Sequence, residues 1–382
     1  MSRKILFVTG TRADFGKLKP LIGAMRDADG FLPQIFVTGM HMLERFGSTW
    51  EEVAESGLAS VYPFVNQAPG DSMDIVLAKT VTGLSNFVRE SQPDLLVVHG
   101  DRVEALAGAI VGTLNNVRVA HIEGGELSGT VDEVLRHAVS KLSHWHFVSN
   151  QESRGRLIQL GEPDESVFLI GSPDIDVMDS PALPSLEEAL GHYGLNLQEY
   201  GILIFHPVTT ELEAIEANTR VLMDALVRDG REIIVIESNN DWGSEKISAV
   251  FAEYHSVPTF HFFPSMRFEY FLVILRQAQF MIGNSSAGIR EAPHYGVPAI
   301  NLGSRQHNRV RSDLVINADI TPGAIDEALV QAQRVAREPE QNFGDGRSVR
   351  RFVEVLQYSA RWSTPIQKQF VDRPGLGGGE DS

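Results

Sequence analysis

The sequence predicts an α/β protein made of two Rossmann-like, doubly wound lobes with a cleft between them. Short apolar runs alternate with amphipathic stretches from the first residues onward, which is the pattern of parallel βαβ units. The chain has 382 residues and exceeds the usual size of a single hydrophobic core. Residues 171–185 are rich in Pro, Ser and Asp and interrupt the pattern, so they predict a linker between the lobes.

The first lobe is predicted over residues 1–175. Its predicted strands cover residues 5–8, 34–37, 95–98 and 116–120, with two more near Trp145 and Val167. Its predicted helices cover residues 14–26, 72–90 and 130–142. Uninterrupted apolar runs of this length are typical of buried strands.

The second lobe is predicted over residues 186–345, where the same alternation begins again. Its predicted strands cover residues 202–205, 233–236, 259–262, 280–282 and 299–302, and a helix is predicted over residues 211–227. A last amphipathic stretch, residues 349–359, lies in a C-terminal unit of residues 346–372 that can return to the first lobe, a placement that periodicity leaves open. Residues 373–382 are predicted to be disordered.

Charge and residue usage exclude several functional classes. The net charge of -17 argues against nucleic acid or an anionic membrane as a partner, because both require a basic face. The absence of cysteine excludes disulfides, thiolate nucleophiles and cysteine-ligated zinc. The first apolar run is too short for a signal sequence, and no later run approaches the ~20 residues of a membrane span. We therefore expect a cytoplasmic protein.

The stretch HIEGGELSGTVD, residues 121–132, is the strongest sign of an active site. Glu123 and Glu126 follow one predicted strand, and the segment HGDR places Asp101 and Arg102 after another. Open α/β sheets bind ligands at the carboxyl ends of their strands. Acids and bases clustered beside glycines are costly inside a protein unless they serve binding or proton transfer. These residues therefore predict an active site.

The first loop, GTRADFGK at residues 10–17, follows a predicted strand and begins a helix, which is a favourable place for a phosphate. Arg12 and Lys17 supply cations there. The loop has one residue too many between its glycines for a Walker A loop, and Leu18 stands where Ser or Thr would hold magnesium. The dinucleotide pattern GxGxxG is also missing. A solvated turn is the alternative interpretation, and this loop alone does not decide between them.

The second lobe has a counterpart, GNSSAGIRE at residues 283–291. Ser285, Ser286 and the neighbouring amides predict a diphosphate site at a helix N-terminus, and Glu291 can accept hydrogen bonds from a ribose. Arg305 can close over the phosphates. The alternative is an ordinary helix cap.

Three histidines need separate interpretations. His206 ends the first strand of the second lobe and should face the cleft, although a structural hydrogen-bonding role is the alternative. His144 and His146 alternate on a predicted strand, but no third ligand stands at a suitable spacing. We therefore predict structural roles for that pair and no metal site.

Taken together, GTRADFGK, VTGMH, HGDR, HIEGGELSGTVDE, FHPVTTE and GNSSAGIRE resemble the hydrolysing UDP-N-acetylglucosamine 2-epimerases, which include bacterial sialic-acid-type enzymes. The match runs from residue 3 to about residue 310 in the same order. The non-hydrolysing branch typically has GTRPE and HVEAGLR at the corresponding loops, so GTRADFG and HIEGGE favour the hydrolysing branch. The resemblance implies a GT-B fold and a homodimer or homotetramer.

The resemblance also implies roles for individual residues. The catalytic groups that it implies are Asp101, Glu123, Glu133 and His206, with His41 in VTGMH as a secondary candidate. The UDP-binding positions that it implies are Arg102, Ser285, Ser286, Glu291 and Arg305, with Arg12, Asp14 and Lys17 along the first loop. No cofactor and no metal are expected. The expected partners are a UDP-sugar substrate and the UDP product.

The implied reaction converts UDP-N-acetylglucosamine to N-acetylmannosamine and UDP through 2-acetamidoglucal, for sialic-acid-type biosynthesis. Several carboxylates are needed because the C2 proton is not acidic and must leave as UDP departs from C1. One alternative is the same reaction on UDP-2,4-diacetamido-2,4,6-trideoxyglucose, since residues 262–271 also resemble enzymes of that branch. More remote alternatives are a GT-B glycosyltransferase and a catalytically silent nucleotide-sugar sensor.

Overall fold

Two parallel β-sheets organise the chain in the computed structural model, which describes residues 2–68, 70–128, 131–208, 211–238, 241–306 and 312–372. The strands of the first sheet are β1 (Arg3–Thr9), β2 (Phe31–Val37), β3 (Ser60–Pro63), β4 (Leu95–His99), β5 (Arg118–Ile122), β6 (Trp145–Val148) and β7 (Val167–Leu169). The strands of the second sheet are β8 (Tyr200–Ile204), β9 (Glu232–Ile236), β10 (Phe260–Phe263), β11 (Phe280–Gly283), β12 (Ala299–Leu302) and β13 (Val315–Ala318). The predicted tail, residues 373–382, lies outside the described residues.

Helices cover both faces of each sheet. The helices between the strands of the first sheet are α1 (Arg12–Asp27), α2 (Trp50–Glu55), α3 (Met73–Ser91), α4 (Val103–Leu114), α5 (Val131–Leu142) and α6 (Gln151–Gln159). The remaining helices are α7 (Pro173–Met178), α8 (Leu186–His192), α9 (Ile215–Asp229), α10 (Ser244–Glu253), α11 (Phe268–Gln277), α12 (Glu291–His294), α13 (Pro322–Ala332) and α14 (Ser348–Gln357). Within the described ranges, none of these helices is long and apolar enough to cross a membrane.

The strand orders determine where a ligand can bind. The first sheet runs β3-β2-β1-β4-β5-β6-β7 and the second runs β10-β9-β8-β11-β12-β13. In each sheet the direction of winding reverses between two adjacent strands, β1 and β4 in the first and β8 and β11 in the second. Ligands of doubly wound folds bind beyond the carboxyl ends of the strands at this reversal. Those ends carry the loops that begin at Gly10, Gly100, Phe205 and Asn284.

The last helix packs on the first lobe although it follows the second lobe in sequence. Phe352 and Leu356 of α14 are fully buried in the same cluster as Phe7, Trp145 and Phe147. The rings of Phe147 and Phe352 are 4.8 Å apart. The chain therefore passes between the lobes twice, and the N–H of Ser172 donates to the carbonyl of Phe343 at 2.7 Å where the two passages meet.

Two parts of the sequence prediction need correction. Residues 171–185 are more than a linker, because they contain α7, whose Asp174 has no exposed surface. The loop after β11 leads first into a short 3-10 turn, Ser286–Gly288, and the helix predicted after it, α12, has only four residues. The dipole of a long helix therefore cannot be the main attraction for a phosphate at Ser285 and Ser286.

Candidate active site

A cavity of about 270 Å³ lies between the lobes, at the carboxyl ends of the strands where both sheets reverse direction. Most of the residues predicted from the sequence line it. These are Arg12, Asp14, Lys17, Asp101, Arg102, Glu123, His206, Ser285, Ser286, Glu291 and Arg305. The topology therefore brings the acids of the first lobe together with the serines of the second.

Two predicted residues lie elsewhere. The lining contains Asp132 and does not contain the adjacent Glu133, whose Oε2 accepts the Ser128 N–H at 3.0 Å. Consecutive residues on a helix point about 100° apart, so Asp132 faces the cavity and Glu133 does not. His41 lies behind the cavity wall, where its ring nitrogens contact the hydroxyls of Thr9 at 3.1 Å and Thr49 at 2.6 Å. Burial lowers the pKa of His41 to about 4.

The backbone of Glu123 has an unusual conformation and is fixed by hydrogen bonds on both sides. It follows β5 with φ of 63°, in the left-handed region that non-glycine residues rarely adopt. Its N–H donates to the Phe147 carbonyl at 2.8 Å, and its own carbonyl accepts from Arg136 Nη1 at 2.7 Å. Strain of this kind is typical of functional positions.

His99 bridges two carboxylates at the end of β4. Its Nδ1 is 3.0 Å from Asp14 Oδ1, and its Nε2 is 3.1 Å from Glu123 Oε2. Burial by itself would lower the pKa of His99, but Glu123 and Asp14 outweigh it and raise the pKa to about 9. His99 is therefore an imidazolium at neutral pH and carries charge into the cavity wall.

The next residues along this loop are also paired. Asp101 forms an ion pair with Arg136, and 23% of its side chain remains exposed. Arg102 Nε lies 3.4 Å from Glu104 Oε2, and its Nη1 lies 3.5 Å from Asp241 Oδ1 of the second lobe. Glu104 is buried and packs against the first loop, since a Cβ added to Gly10 would lie 2.9 Å from its carboxyl carbon.

On the second lobe, the Asn284 side chain links the loop after β11 to the loop after β8 by hydrogen bonds. Its Oδ1 accepts the His206 N–H at 2.7 Å, and its Nδ2 donates to the His206 carbonyl at 2.8 Å. Arg305 Nη1 donates to the Asn284 carbonyl at 3.3 Å, and Arg305 Nη2 donates to Asp132 Oδ2 of the first lobe at 3.1 Å. Ser285 and Ser286 thus stand in a loop whose neighbours are fixed on both sides.

Lys17 has partners that the sequence did not indicate. Its Nζ is 3.0 Å from Asp174 Oδ2 and 3.3 Å from Glu291 Oε1, so it joins α1 to α7 and α12. Burial by itself would lower the pKa of Lys17, but Asp174, Glu291 and Glu123 raise it above the ordinary value. Lys17 therefore carries a positive charge, which these carboxylates offset at the base of the cavity.

Sequence reasoning missed Arg290 and Asp174, which line or support the cavity from the second lobe and from α7. Arg290 lies inside the motif GNSSAGIRE, so its place beside Glu291 was a usable signal. Asp174 stands in a Pro- and Ser-rich segment and gave none. In the part of the chain that the structure describes, no group of three or more His, Asp or Glu side chains is arranged to hold a metal ion.

We expect two buried histidines, His206 and His121, to make the unfolding free energy fall in acid. Burial, and then the nearby Arg305, lower the pKa of His206 to about 3. Burial also lowers the pKa of His121 to about 3. A histidine whose folded pKa lies below its unfolded value of 6.5 stabilises the fold above pH 6.5 and loses that contribution as the pH falls toward the folded pKa. We expect each to remove about 1.4 kcal/mol of unfolding free energy per pH unit in that window.

Denaturant unfolding at pH 7.5, 6, 5 and 4 measures this effect. The His206→Gln variant should lose less stability over the window than the wild type, because its amide does not titrate. His255→Gln, at an exposed position, is the matched control and should follow the wild type. Parallel curves for wild type and His206→Gln would contradict the assignment.

Comparison with known proteins places the chain in a family. The family model described as UDP-N-acetylglucosamine 2-epimerase matches residues 23–357. The chain is 48% identical over 374 residues to the UDP-N-acetylglucosamine 2-epimerase of Neisseria meningitidis serogroup B, covering 97% of this chain and 99% of that protein. It is 34% identical over 378 residues to the UDP-N,N'-diacetylbacillosamine 2-epimerase (hydrolyzing) of Legionella pneumophila, covering 98% of this chain and 99% of that protein.

A solved structure supports the architecture. The crystal structure of Methanocaldococcus jannaschii UDP-GlcNAc 2-epimerase in complex with UDP-GlcNAc and UDP has a TM-score of 0.79 and 20% sequence identity, covering 93% of this chain and 99% of that one. This likeness confirms the predicted GT-B arrangement of two Rossmann-like lobes. With the matched family model and the two relatives, the chain belongs to the UDP-N-acetylglucosamine 2-epimerase family.

Proposed function

We propose that this chain is a hydrolysing 2-epimerase that converts UDP-N-acetylglucosamine to N-acetylmannosamine and UDP. One observation carries the proposal: the carboxylates Asp101, Glu123 and Asp132 line the same interlobe cavity as Ser285 and Ser286. The first set suits proton transfer and cation stabilisation, and the second suits a diphosphate. The names of the Neisseria and Legionella relatives, which align over nearly the whole chain, support the same reaction.

In the proposed first step, a carboxylate takes the proton from C2 while the C1–O bond breaks. The electrons of the C2–H bond become the C1=C2 double bond, and UDP leaves with the electrons of the C1–O bond. The products are 2-acetamidoglucal and UDP. Positive charge develops on the ring as the bond breaks, so the remaining carboxylates lower the barrier electrostatically.

In the proposed second step, water adds to the glucal. A carboxylic acid delivers a proton to C2 from the face opposite to the one that lost it, and the water oxygen bonds to C1 while losing a proton to a carboxylate. The product is N-acetylmannosamine. Acids are needed on both faces of the sugar, which is consistent with carboxylates reaching the cavity from the loops after β4 and β5 and from α5.

The leaving diphosphate would lie on the second-lobe side. Ser285 and Ser286 offer hydroxyl and amide donors there, and Arg102 and Arg305 approach from either side of the cleft. Arg305 already contacts Asp132 at 3.1 Å, so a bound diphosphate competes with that carboxylate for the same guanidinium. UDP binding therefore changes the electrostatic surroundings of Asp132. We propose Asp132, in place of Glu133, as the third acid of the site.

Proton NMR in D₂O tests the proposal. With UDP-N-acetylglucosamine as substrate, we expect N-acetylmannosamine with deuterium at C2, because the glucal takes its new C2 proton from solvent. Product that keeps its original C2 proton would refute elimination. UDP binding without turnover would favour the sensor interpretation, and turnover that requires an acceptor sugar would favour a transferase.

The Legionella relative favours a second candidate substrate, a UDP-2,4-diacetamido-2,4,6-trideoxy sugar. The higher identity to the Neisseria protein, 48% against 34%, makes UDP-N-acetylglucosamine the first choice. Parallel measurements of kcat/KM on both sugars decide between them. We also propose that the protein is cytoplasmic and that it forms a homodimer or homotetramer. Sedimentation velocity on the purified protein would test the oligomeric state.

A further inference from the structure

Arg290, from the second lobe, lies against acids of the first lobe. Its Nη1 donates to both carboxylate oxygens of Glu126 at 2.7 and 2.6 Å, and its Nη2 donates to Glu123 Oε1 at 2.5 Å. Its Nε and Nη2 reach Asp174 Oδ2 at 3.3 and 3.2 Å. The Phe343 ring lies 4.4 Å from the guanidinium carbon, and 3% of the side chain is exposed. Every nitrogen of this guanidinium therefore has a partner.

These contacts leave Glu123 little freedom. Its Oε1 accepts from Arg290 and from the Ser172 hydroxyl, and its Oε2 is 3.1 Å from His99 Nε2. Its backbone carbonyl is held by Arg136. Both carboxylate oxygens and the backbone are thus fixed, although the residue lines the cavity.

The charges that face Glu123 come from every element around it. The cations are Arg290 of the second lobe, Lys17 of α1, His99 of β4 and Arg136 of α5, and the anions are Asp14, Glu126, Asp174 and Glu291. Burial by itself would raise the pKa of Glu123, but Arg290, then Lys17 and His99, hold it well below its usual range. Removal of Arg290 would leave several buried carboxylates with too few cations.

We infer that Arg290 is a positioning residue for the proposed epimerisation and that it holds the Glu123 carboxylate in one orientation at the cavity. This inference rests on the proposed function and deepens it. A carboxylate held by a guanidinium and an imidazolium is a weak base. Glu123 then stabilises positive charge on the sugar ring. The transfers of the C2 proton belong to Asp101 and Asp132, which keep 23% and 26% of their side chains exposed, against 5% for Glu123.

Kinetics of Arg290→Gln test the inference. We expect kcat at pH 7 to fall about 100-fold, while KM changes less than about threefold, because the interaction is needed in the transition state and the diphosphate contacts of Ser285 and Ser286 remain. The acidic limb of the kcat profile should move to higher pH by about one unit or more, since the excess carboxylates now share a proton. Calorimetry should give an unchanged Kd for UDP.

Two further variants separate charge from shape. Arg290→Lys keeps the positive charge but loses the planar, forked set of N–H donors. We therefore expect kcat to fall about tenfold, while the acidic limb of the kcat profile stays at its wild-type pH. The double variant Arg290→Gln/Glu126→Gln removes one excess carboxylate along with the arginine. It should fold even where Arg290→Gln does not, and it should keep the low kcat because Glu123 still lacks its partner.

Stability against pH provides a readout that needs no turnover. A carboxyl group whose folded pKa is raised above its unfolded value stabilises the fold at low pH and loses that contribution as the pH rises through the folded pKa. The difference in Tm between wild type and Arg290→Gln should therefore narrow as the pH falls from 8 to 5. Arg220→Gln, which disrupts an exposed pair with Glu253, is the control and should show a constant difference.

A kcat profile of Arg290→Gln that matches the wild type would overturn the inference, and so would a Tm difference that does not depend on pH. Loss of UDP binding in proportion to kcat would also overturn it, because that result indicates a general collapse of the cleft. A wild-type protein that turns over no UDP-sugar would instead refute the proposed function. The Tm comparison would then still test whether Arg290 keeps Glu123 ionised.

Discussion

Asp101→Asn is expected to lower kcat by about 10²- to 10⁴-fold while the protein remains folded and binds UDP. Asp101 stands at the carboxyl end of the central strand β4, and its partly exposed side chain lines the cavity. Asparagine has nearly the same shape but cannot accept the C2 proton. The serines that offer donors to the diphosphate lie on the other lobe and are not altered. The effect should therefore fall on turnover rather than on binding.

Release of UDP under saturating substrate and calorimetric titration with UDP measure the two quantities separately. Asp345→Asn is the matched control, since Asp345 pairs with Arg351 on the surface and its loss should leave kcat unchanged. Wild-type turnover by Asp101→Asn would remove this residue from the proposed mechanism. The deuterium experiment on the variant would show whether any residual reaction follows the same route.

Gly283→Ala is expected to lower the unfolding free energy by about 4 kcal/mol or more, enough to prevent folding in many proteins. Gly283 ends β11 with φ of +131°, a backbone conformation open to glycine. A Cβ at this position would lie 1.9 Å from the carbonyl oxygen of Ile204 on the neighbouring strand β8. Neither strand can move without breaking the sheet, so the clash cannot relax locally.

Gly230→Ala separates the clash from the dihedral penalty. Gly230 ends α9 with φ of +74°, and a Cβ there would have no heavy atom within 4 Å. This variant should lose only about 1 kcal/mol, the usual penalty of a left-handed alanine. Denaturant unfolding of both variants gives the comparison. Equal losses of unfolding free energy in the two variants would show that the contact with Ile204 adds nothing to the dihedral penalty.

The sequence predicted most strands because central parallel strands are buried on both faces and appear as continuous apolar runs. The prediction for residues 299–302 coincides with β12. It missed the edge strands β3 and β13, whose sequences SVYP and VINA mix polar and apolar residues and are partly exposed. An edge strand is stabilised by pairing with one neighbour, and its own composition says little about that pairing.

The site shows a similar division. Residues at strand ends could be predicted, because sheet topology places Asp101 and Glu123 at the carboxyl edge of the first sheet and His206 at that of the second. The choice between Asp132 and Glu133 depends on how α5 is rotated, and local sequence does not determine that rotation. The contacts of Arg290 with Glu123 and Glu126 join residues more than 160 positions apart. Only the packed structure shows such a contact.

The return of α14 to the first lobe has a consequence for synthesis on the ribosome. Phe352 and Leu356 fill the core beside Phe7 and Phe147, yet they are translated after the whole second sheet. The first lobe therefore cannot complete its core while the nascent chain is still being extended through the second lobe. An apolar surface beside α1 stays uncovered during that interval, and apolar surface exposed in this way is prone to aggregation.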